Sequence, residues 1–159
     1  MKGIIFLSNR IDLKDIWPII NEVISTGGEF RLKPYGISML PLLEPGKCEV
    51  VLVEPKEIRK GDIVLFVRQS GQFVLHRVVS VKKDYYNMCG DNEIVIEKHV
   101  SKDKIRAVVK EIYIGDEKLN TESAEYKKYL KSIKRKINRH KIPVFLSKVK
   151  RRLLKKKST

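Results

Sequence analysis

The spacing of hydrophobic and polar positions changes twice along the chain. Residues 1–28 predict a short lead-in strand at Gly3–Leu7, followed by one helix. We expect Asp15 to cap this helix, Pro18 to lie in its first turn and Gly27-Gly28 to end it. Apolar residues recur along it at helical spacing, which predicts one face packed on the core: Ile16, Ile19, Ile20, Val23 and Ile24.

From residue 29 to residue 120 the pattern becomes that of short strands separated by glycine and proline turns. A hairpin turn is expected at Gln69–Gln72, and Gly115-Asp116 is expected to turn the last long strand into Lys118-Leu119. Many short strands of this kind predict a mainly β fold, an all-β barrel or coiled sheet. The predicted strands are Phe30–Leu32, Cys48–Val53, Ile63–Arg68, Phe73–Val81, Tyr85–Cys89, Ile94–Ile96 and Ile105–Ile114.

Residues 121–159 return to helical spacing and carry the excess charge. Pro143 divides them, and Phe145–Leu154 predicts a second amphipathic, basic segment after a first helix. The net charge is +15, yet residues 1–126 contain nineteen basic and nineteen acidic residues, whereas residues 127–159 contain fifteen basic residues and no acid. We therefore expect a neutral body and a basic helical tail. The apolar face of the first helix is predicted to comprise Tyr126, Tyr129, Leu130, Ile133 and Ile137.

The basic tail has several candidate partners besides the simplest interpretation, a solvated helix face. Nucleic acid would be bound through phosphate contacts, but the tail has few aromatic residues for base stacking and no binding motif. An anionic membrane surface fits the opposed apolar and basic faces better. The acidic leader peptide of a substrate is another candidate. Of these, we expect residues 127–159 to contact an anionic membrane surface rather than nucleic acid.

Length, composition and cysteine content exclude several classes of protein. A chain of 159 residues, 42% of them hydrophobic and 33% charged, is long enough to bury a core and has a globular composition. Cys48 and Cys89 form neither a CxxC metal motif nor a disulfide framework. No apolar run approaches the about 20 residues that cross a bilayer, and the sequence has no signal-peptide pattern. We expect a cytoplasmic protein, peripheral at the inner face of the membrane, without a metal or cofactor.

Three short stretches combine turn or strand geometry with reactive side chains. In Gly36–Pro41, Ser38 can occupy a tight turn with its hydroxyl exposed and its backbone N–H free to hold an oxyanion. His76, in a predicted strand, can take a proton from a serine and return it to a leaving amine. Asp91, in a Gly-Asp-Asn turn, can orient a histidine, and Glu97 is a second candidate for that role. Taken singly, a serine, histidine or aspartate in such a place is more often an ordinary turn or strand residue than a catalytic one.

Together and in this order, the stretches resemble the type I signal peptidase family. The resemblance implies a coiled β-barrel, which the family shares with the LexA-like self-cleaving repressors. It also implies that Ser38 is the nucleophile and that His76 is the base. A histidine there is typical of the archaeal, endoplasmic-reticulum and sporulation-type branch, and Asp91 and Glu97 remain competing assignments for the acid. The motifs that carry the resemblance are Gly36-Ile37-Ser38-Met39-Leu40-Pro41, Lys60-Gly61-Asp62-Ile63-Val64, His76-Arg77-Val78 and Gly90-Asp91-Asn92.

The sequence departs from this family in four places. It has no membrane-spanning segment before the serine. Gly36 stands where many signal peptidases have a serine that helps to form the oxyanion hole, so we expect backbone N–H groups of the turn, which Gly36 and Met39 shape, to be the donors. Lys47 follows a glycine where many relatives have Gly-Asp, and Glu93 replaces the second asparagine that is common after the Gly-Asp-Asn motif.

The function implied by the resemblance is that of a serine endopeptidase that cleaves a leader or precursor peptide. The substrate would bind as an extended strand, with small residues just before the cut. One alternative is a self-processing LexA-like regulator. Only 28 residues precede the first predicted strand of the body, too few for a DNA-binding domain, and those regulators use lysine where this chain has His76. Another alternative is a catalytically silent barrel whose tail binds a membrane or nucleic acid.

Overall fold

The computed structural model describes residues 12–139. The chain divides into two compact units, with the boundary between Leu119 and Asn120. Within residues 12–139, no helix combines the length and the apolar character that crossing a membrane requires. The predicted strand Gly3–Leu7 and the predicted segment Phe145–Leu154 lie outside the described residues.

The first unit begins with helix α1, Leu13–Ser25. Asp12, not Asp15, caps it: the Asp12 carboxylate accepts a hydrogen bond from the Lys14 N–H at 3.0 Å. Because the helix starts before Asp15, the prediction that Pro18 lies in the first turn is also wrong, and Pro18 lies in the helix interior. The prediction that Gly27-Gly28 ends the helix is confirmed. Gly27 adopts a φ of 84°, and the N–H groups of Gly27 and Gly28 donate to carbonyl groups of the last helical turn.

In the described part of the chain eight strands form one antiparallel sheet, so the prediction of a mainly β fold is confirmed. Along the sheet the order is β1-β2-β7-β3-β4-β5-β6, and β8 pairs with β7. The ladders contain register shifts between β2 and β7, β3 and β7, β4 and β5, and β5 and β6, and such irregularities bend and twist a sheet. The strands are β1 Phe30–Leu32, β2 Cys48–Val53, β3 Ile63–Val67, β4 Phe73–Val81, β5 Tyr85–Cys89, β6 Glu97–Ser101, β7 Ile105–Ile114 and β8 Glu117–Lys118.

The predicted strand Ile94–Ile96 is wrong. These residues belong to the loop between β5 and β6, and the side chains of Ile94 and Val95 are 47% and 70% exposed. Pairing with β5 begins only at Glu97, opposite Met88, because the chain first turns sharply after β5. The β-branched residues of the loop therefore mimic a strand in sequence without joining the sheet.

One cluster of the hydrophobic core of the first unit is formed by residues of strands β3, β4, β5 and β7. Helix α1 adds two side chains that are almost fully buried, Ile20 and Ile24. On β4 the core residues Val74 and Val78 flank His76, which therefore shares their face of the strand. The sheet cluster comprises Val64, Phe66, Val74, Val78, Tyr86, Met88 and Ile105.

The second unit contains helix α2, which spans 124–139 in the described part of the chain. The Ser123 hydroxyl accepts a hydrogen bond from the Tyr126 N–H at 3.1 Å, the arrangement of a helix N-cap. The rings of Tyr126 and Tyr129 lie 6.1 Å apart, consistent with their predicted place on one face. Basic side chains such as Lys128, Lys131 and Lys134 are exposed.

Candidate active site

Ser38 lies in a compact turn between β1 and β2. Gly36 has a φ of 106°, a conformation that residues with a side chain rarely adopt, which explains the glycine two residues before the serine. The Leu40 N–H closes the turn by donating to the Ile37 carbonyl at 3.2 Å, and Met39 is buried beneath it. Among the described residues, neither the hydroxyl nor the backbone N–H of Ser38 has a hydrogen-bond partner, so both are free to meet a ligand.

The Gly-Asp-Asn turn holds the Ser38 turn in place. The Asn92 N–H donates to the Ser38 carbonyl at 2.8 Å, and the Asn92 side-chain amide donates to the Ile37 carbonyl at 3.1 Å. Gly90 permits this close approach, because a Cβ there would lie only 2.5 Å from the Ser38 carbonyl oxygen. Two segments that are distant in sequence are thereby joined beside Ser38.

His76 lies at the centre of β4, opposite Val64 of β3, and its side chain is 1% exposed. The ring of Phe66 packs against it with centroids 5.8 Å apart. Neither ring nitrogen makes a well-aligned hydrogen bond within the described part of the chain. A buried imidazole without a well-aligned hydrogen bond is costly in a purely structural position, and catalytic hydrogen bonds often become well aligned only when substrate binds.

Two carboxylates approach the ring nitrogens of His76. Glu97 Oε1 lies 3.1 Å from Nδ1, and Glu93 Oε2 lies 3.5 Å from Nε2. Arg68 in turn fixes Glu97 through two hydrogen bonds, one of them from Nε to Oε2 at 2.9 Å. Glu97 thus contacts Nδ1 of His76 on one side and is hydrogen-bonded to Arg68 on the other.

Burial lowers the pKa of His76 below its usual value near 6.5, and the nearby Arg68 acts in the same direction. The negative charges of Glu93, Glu97 and Asp91 oppose this effect on the pKa. The hydrogen bonds from Arg68 hold the pKa of Glu97 below its usual value. At neutral pH the ring is therefore uncharged and Glu97 is ionised, so the ring proton is favoured on Nδ1, facing Glu97, and the lone pair on Nε2.

Asp91 is held by Arg77, the neighbour of His76 in β4. Arg77 donates from Nε to Oδ1 at 2.8 Å and from Nη2 to Oδ2 at 2.6 Å, and its Nη1 donates to the Gly61 carbonyl at 2.7 Å. Both side chains are almost fully buried. Of the two acids that the sequence left in competition, Glu97 is the one beside the ring of His76, whereas Asp91 anchors its turn to β4 and to the loop before β3.

Ser38 and His76 line the same cleft, which has a volume of about 1030 Å³. Its walls come from the start of α1, the segment from Leu32 to the Ser38 turn, the first half of β4, and Glu93. The described residues contain no group of three or more His, Cys, Asp or Glu side chains that could hold a metal ion. Apolar side chains form much of the lining: Leu13, Leu32, Met39, Leu43, Phe73 and Leu75.

Sequence reasoning missed the arginines of the site and the role of Glu93 beside Nε2. Arg68 and Glu97 are 29 positions apart, and Arg77 and Asp91 are 14 apart, so no local pattern pairs them. The one available signal was the presence of two glutamates after the Gly-Asp-Asn turn, Glu93 directly and Glu97 four positions later. Comparisons of the chain with protein-family models, curated proteins and solved structures find no match.

Proposed function

We propose that the protein is a serine endopeptidase of the type I signal peptidase-like class. Ser38 is the nucleophile, His76 the general base and Glu97 the carboxylate that orients the base. The observation that carries the proposal is the shared cleft: within residues 12–139, a serine hydroxyl with no hydrogen-bond partner and a buried histidine whose ring nitrogens make no well-aligned hydrogen bond line one peptide-sized space. The motif order of the signal peptidase family supports the same assignment of the nucleophile and base.

The arrangement around His76 supports its role as a base. Glu97, fixed by Arg68, favours the proton on Nδ1, and this leaves the lone pair of Nε2 free to accept a proton. Because burial lowers the pKa of His76, the ring is uncharged and competent at neutral pH. Asp91 serves the site indirectly, since its ion pair with Arg77 anchors the turn that binds the Ser38 carbonyl.

The reaction follows from these positions. Ser38 Oγ attacks the scissile carbonyl carbon while its proton passes to His76 Nε2, and the oxyanion that forms accepts a hydrogen bond from the free Ser38 N–H. The imidazolium then donates its proton to the leaving amine, the C–N bond breaks, and an acyl-enzyme remains on Ser38. Water, deprotonated by Nε2, hydrolyses this ester and restores the serine hydroxyl.

The cleft suits a peptide in extended conformation. Strand β1 is the terminal strand in the sheet order, and the segment that follows it toward Ser38 lines the cleft. Such an edge can pair with the backbone of a bound peptide, while the apolar lining accepts its side chains. The substrate is a leader or precursor peptide with small residues before the cut, and the register shifts of the sheet fit the coiled β-barrel of the signal peptidase-like class.

The basic tail gives this peptidase its location. Helix α2 exposes lysines along much of its length, and each basic residue near an anionic leaflet contributes up to about 1 kcal/mol to binding. Residues 127–159 therefore hold the protein at an anionic membrane surface on the cytoplasmic side. An acidic leader peptide remains the competing partner of the tail, and co-sedimentation with anionic and neutral vesicles separates the two.

The experiment that tests the peptidase is labelling by a fluorophosphonate probe, followed over time by intact mass. Ser38→Ala and His76→Ala should lose the adduct, and Glu97→Gln should slow its formation. Two matched variants keep the rate of the native chain: Ser70→Ala, in the exposed turn between β3 and β4, and His99→Asn, on β6. Asparagine is chosen for His99 because that residue has a φ of 59°, which asparagine tolerates.

The alternatives predict other results. A self-processing regulator would yield a shortened chain on incubation of the native protein and an intact chain for Ser38→Ala. A catalytically silent barrel would remain unlabelled at every pH while folded, and the Ser38→Ala variant would bind vesicles as the native chain does. Absence of an adduct on the folded native chain contradicts the proposed peptidase.

A further inference from the structure

Glu93 lies beside His76, and the proposed reaction does not use it. Its carboxylate oxygen Oε2 lies 3.5 Å from Nε2, the nitrogen that must accept the Ser38 proton. The side chain is 36% exposed and lines the cleft, whereas the ring it approaches is almost fully buried. Nε2 itself is buried without a well-aligned hydrogen bond among the described residues. A carboxylate at this place directly affects the protonation of His76.

The turn after β5 keeps Glu93 over His76. The Glu93 N–H donates to the Gly90 carbonyl at 2.9 Å, which closes the turn. The Glu93 side chain then folds back across Gly90, where an added Cβ would lie 3.1 Å from both Cγ and Cδ. The same glycine that admits the Ser38 carbonyl therefore also admits the carboxylate side chain. The position of the Glu93 side chain therefore follows from the turn that begins at Gly90.

Among the described residues, four charged groups act on the ring of His76, and three of them are paired with another charged side chain. Arg68 and Glu97 are hydrogen-bonded to each other, and Asp91 is paired with Arg77. Within residues 12–139, Glu93 has no ion pair with a lysine or arginine; its negative charge acts on Arg68 from a distance, and its Oε2 lies 3.5 Å from Nε2 of His76. An uncharged ring presents a lone pair to this carboxylate, which is unfavourable. A protonated ring presents an N–H, which is favourable.

We propose that Glu93 is a second carboxylate of the catalytic base, which stabilises protonated His76 through Nε2 and thereby sets the pH range in which the base is free. Glu93 is a positioning and charge-setting residue, since it acts through His76 and not on the substrate. The inference rests on the proposed function for its catalytic consequence. The coupling between Glu93 and His76 itself is independent of any activity.

The test has one readout without catalysis and one with it. The chain contains three histidines, so the ring C–H signal of His76 is readily assigned by NMR with a His76→Ala reference. In Glu93→Gln the midpoint of the His76 titration should fall relative to the native chain, because a stabilising negative charge is lost. Glu93→Asp should return part of the shift. Glu22→Gln, which removes an exposed carboxylate of α1 outside the cleft, should leave the midpoint unchanged.

The catalytic readout is the pH profile of fluorophosphonate labelling. In Glu93→Gln the acid limb should move to lower pH, and the rate on that limb, relative to the plateau, should rise about three- to tenfold. An unchanged His76 titration or an unchanged acid limb would overturn the role of Glu93 while leaving the labelling of Ser38 intact. A native chain that the probe labels at no pH would instead overturn the proposed function, and with it the catalytic role of Glu93, even where the NMR midpoint moves.

Discussion

Replacing Asp91 by asparagine removes the charge that neutralises a buried arginine. In the native chain Arg77 and Asp91 are paired in a bidentate arrangement, and their side chains are 5% and 0% exposed. Asparagine has nearly the same size but carries no charge, and it can offer a single oxygen to the guanidinium. The substitution therefore leaves an uncompensated charge in the interior and weakens the link between β4 and the turn beside Ser38.

The expected cost is large because both partners are buried. Removing one partner of a buried ion pair destabilises a protein by about 3–5 kcal/mol. For a chain of this size each kcal/mol lowers the melting temperature by about 2–4 °C, so Asp91→Asn should melt about 6–20 °C below the native chain. The Glu97→Gln variant changes the orientation of His76. Compared with Asp91→Asn, it should lose less stability, but its labelling rate per folded molecule should decrease more.

The assay is thermal unfolding and urea unfolding, both followed by circular dichroism, with labelling measured on the folded fraction. The matched control is Glu57→Gln, which breaks an ion pair with Arg59 in which both side chains are 73% exposed, and it should not change the unfolding midpoint measurably. An Asp91→Asn protein as stable as the Glu57→Gln control would refute the structural role assigned to Asp91. An Asp91→Asn protein that is stable but unlabelled would instead indicate that Asp91 is the carboxylate that supports the general base His76.

Three further predictions follow from the same geometry. Gly90→Ala should lower the free energy of unfolding by about 1–3 kcal/mol and reduce labelling, since its Cβ would collide with the Ser38 carbonyl; equal stability by urea unfolding would contradict this. Arg68→Gln should slow labelling about tenfold, because Glu97 loses the partner that fixes it and lowers its pKa; an unchanged rate would show that Glu97 needs no such support. Because the folded-state pKa of His76 is lowered, its neutral form stabilises the fold above the unfolded pKa, and this contribution is lost as the pH falls below about 6.5. The urea concentration at the unfolding midpoint of the native chain should therefore decrease as the pH is lowered from about 7 to about 5, and His76→Gln should show a smaller decrease.

Most of the fold follows from local sequence patterns. Strands β2, β4, β5 and β7 match their predicted limits, because each run of apolar, β-branched or aromatic residues ends at a glycine, a proline or a polar turn. The errors in α1 and in the loop before β6 have local causes as well. Asp12 and Asp15 are both suitable caps, and only the hydrogen bond to Lys14 distinguishes them. The apolar loop from Ile94 to Ile96 has the composition of a strand, but the ladder with β5 begins after it.

The site was less predictable than the fold because its partners come from distant parts of the chain. Ser38 and His76 stood out by residue type and turn chemistry, and the structure places both on one cleft. The choice between Asp91 and Glu97 depended on arginines that the sequence could not pair with them. Arg77, adjacent to His76, engages Asp91, and this leaves Glu97 beside the ring. Long-range ion pairs of this kind are invisible to hydrophobic periodicity, which reports only which face of an element is buried.

The central claim is that Ser38 is a nucleophile activated by His76. Its most direct test is to locate the fluorophosphonate adduct by tandem mass spectrometry of the digested native protein at neutral pH. We predict a single adduct on the Ser38 hydroxyl, absent from His76→Ala under the same conditions. An adduct on another serine, or an adduct on Ser38 that forms equally fast in His76→Ala, would contradict the account.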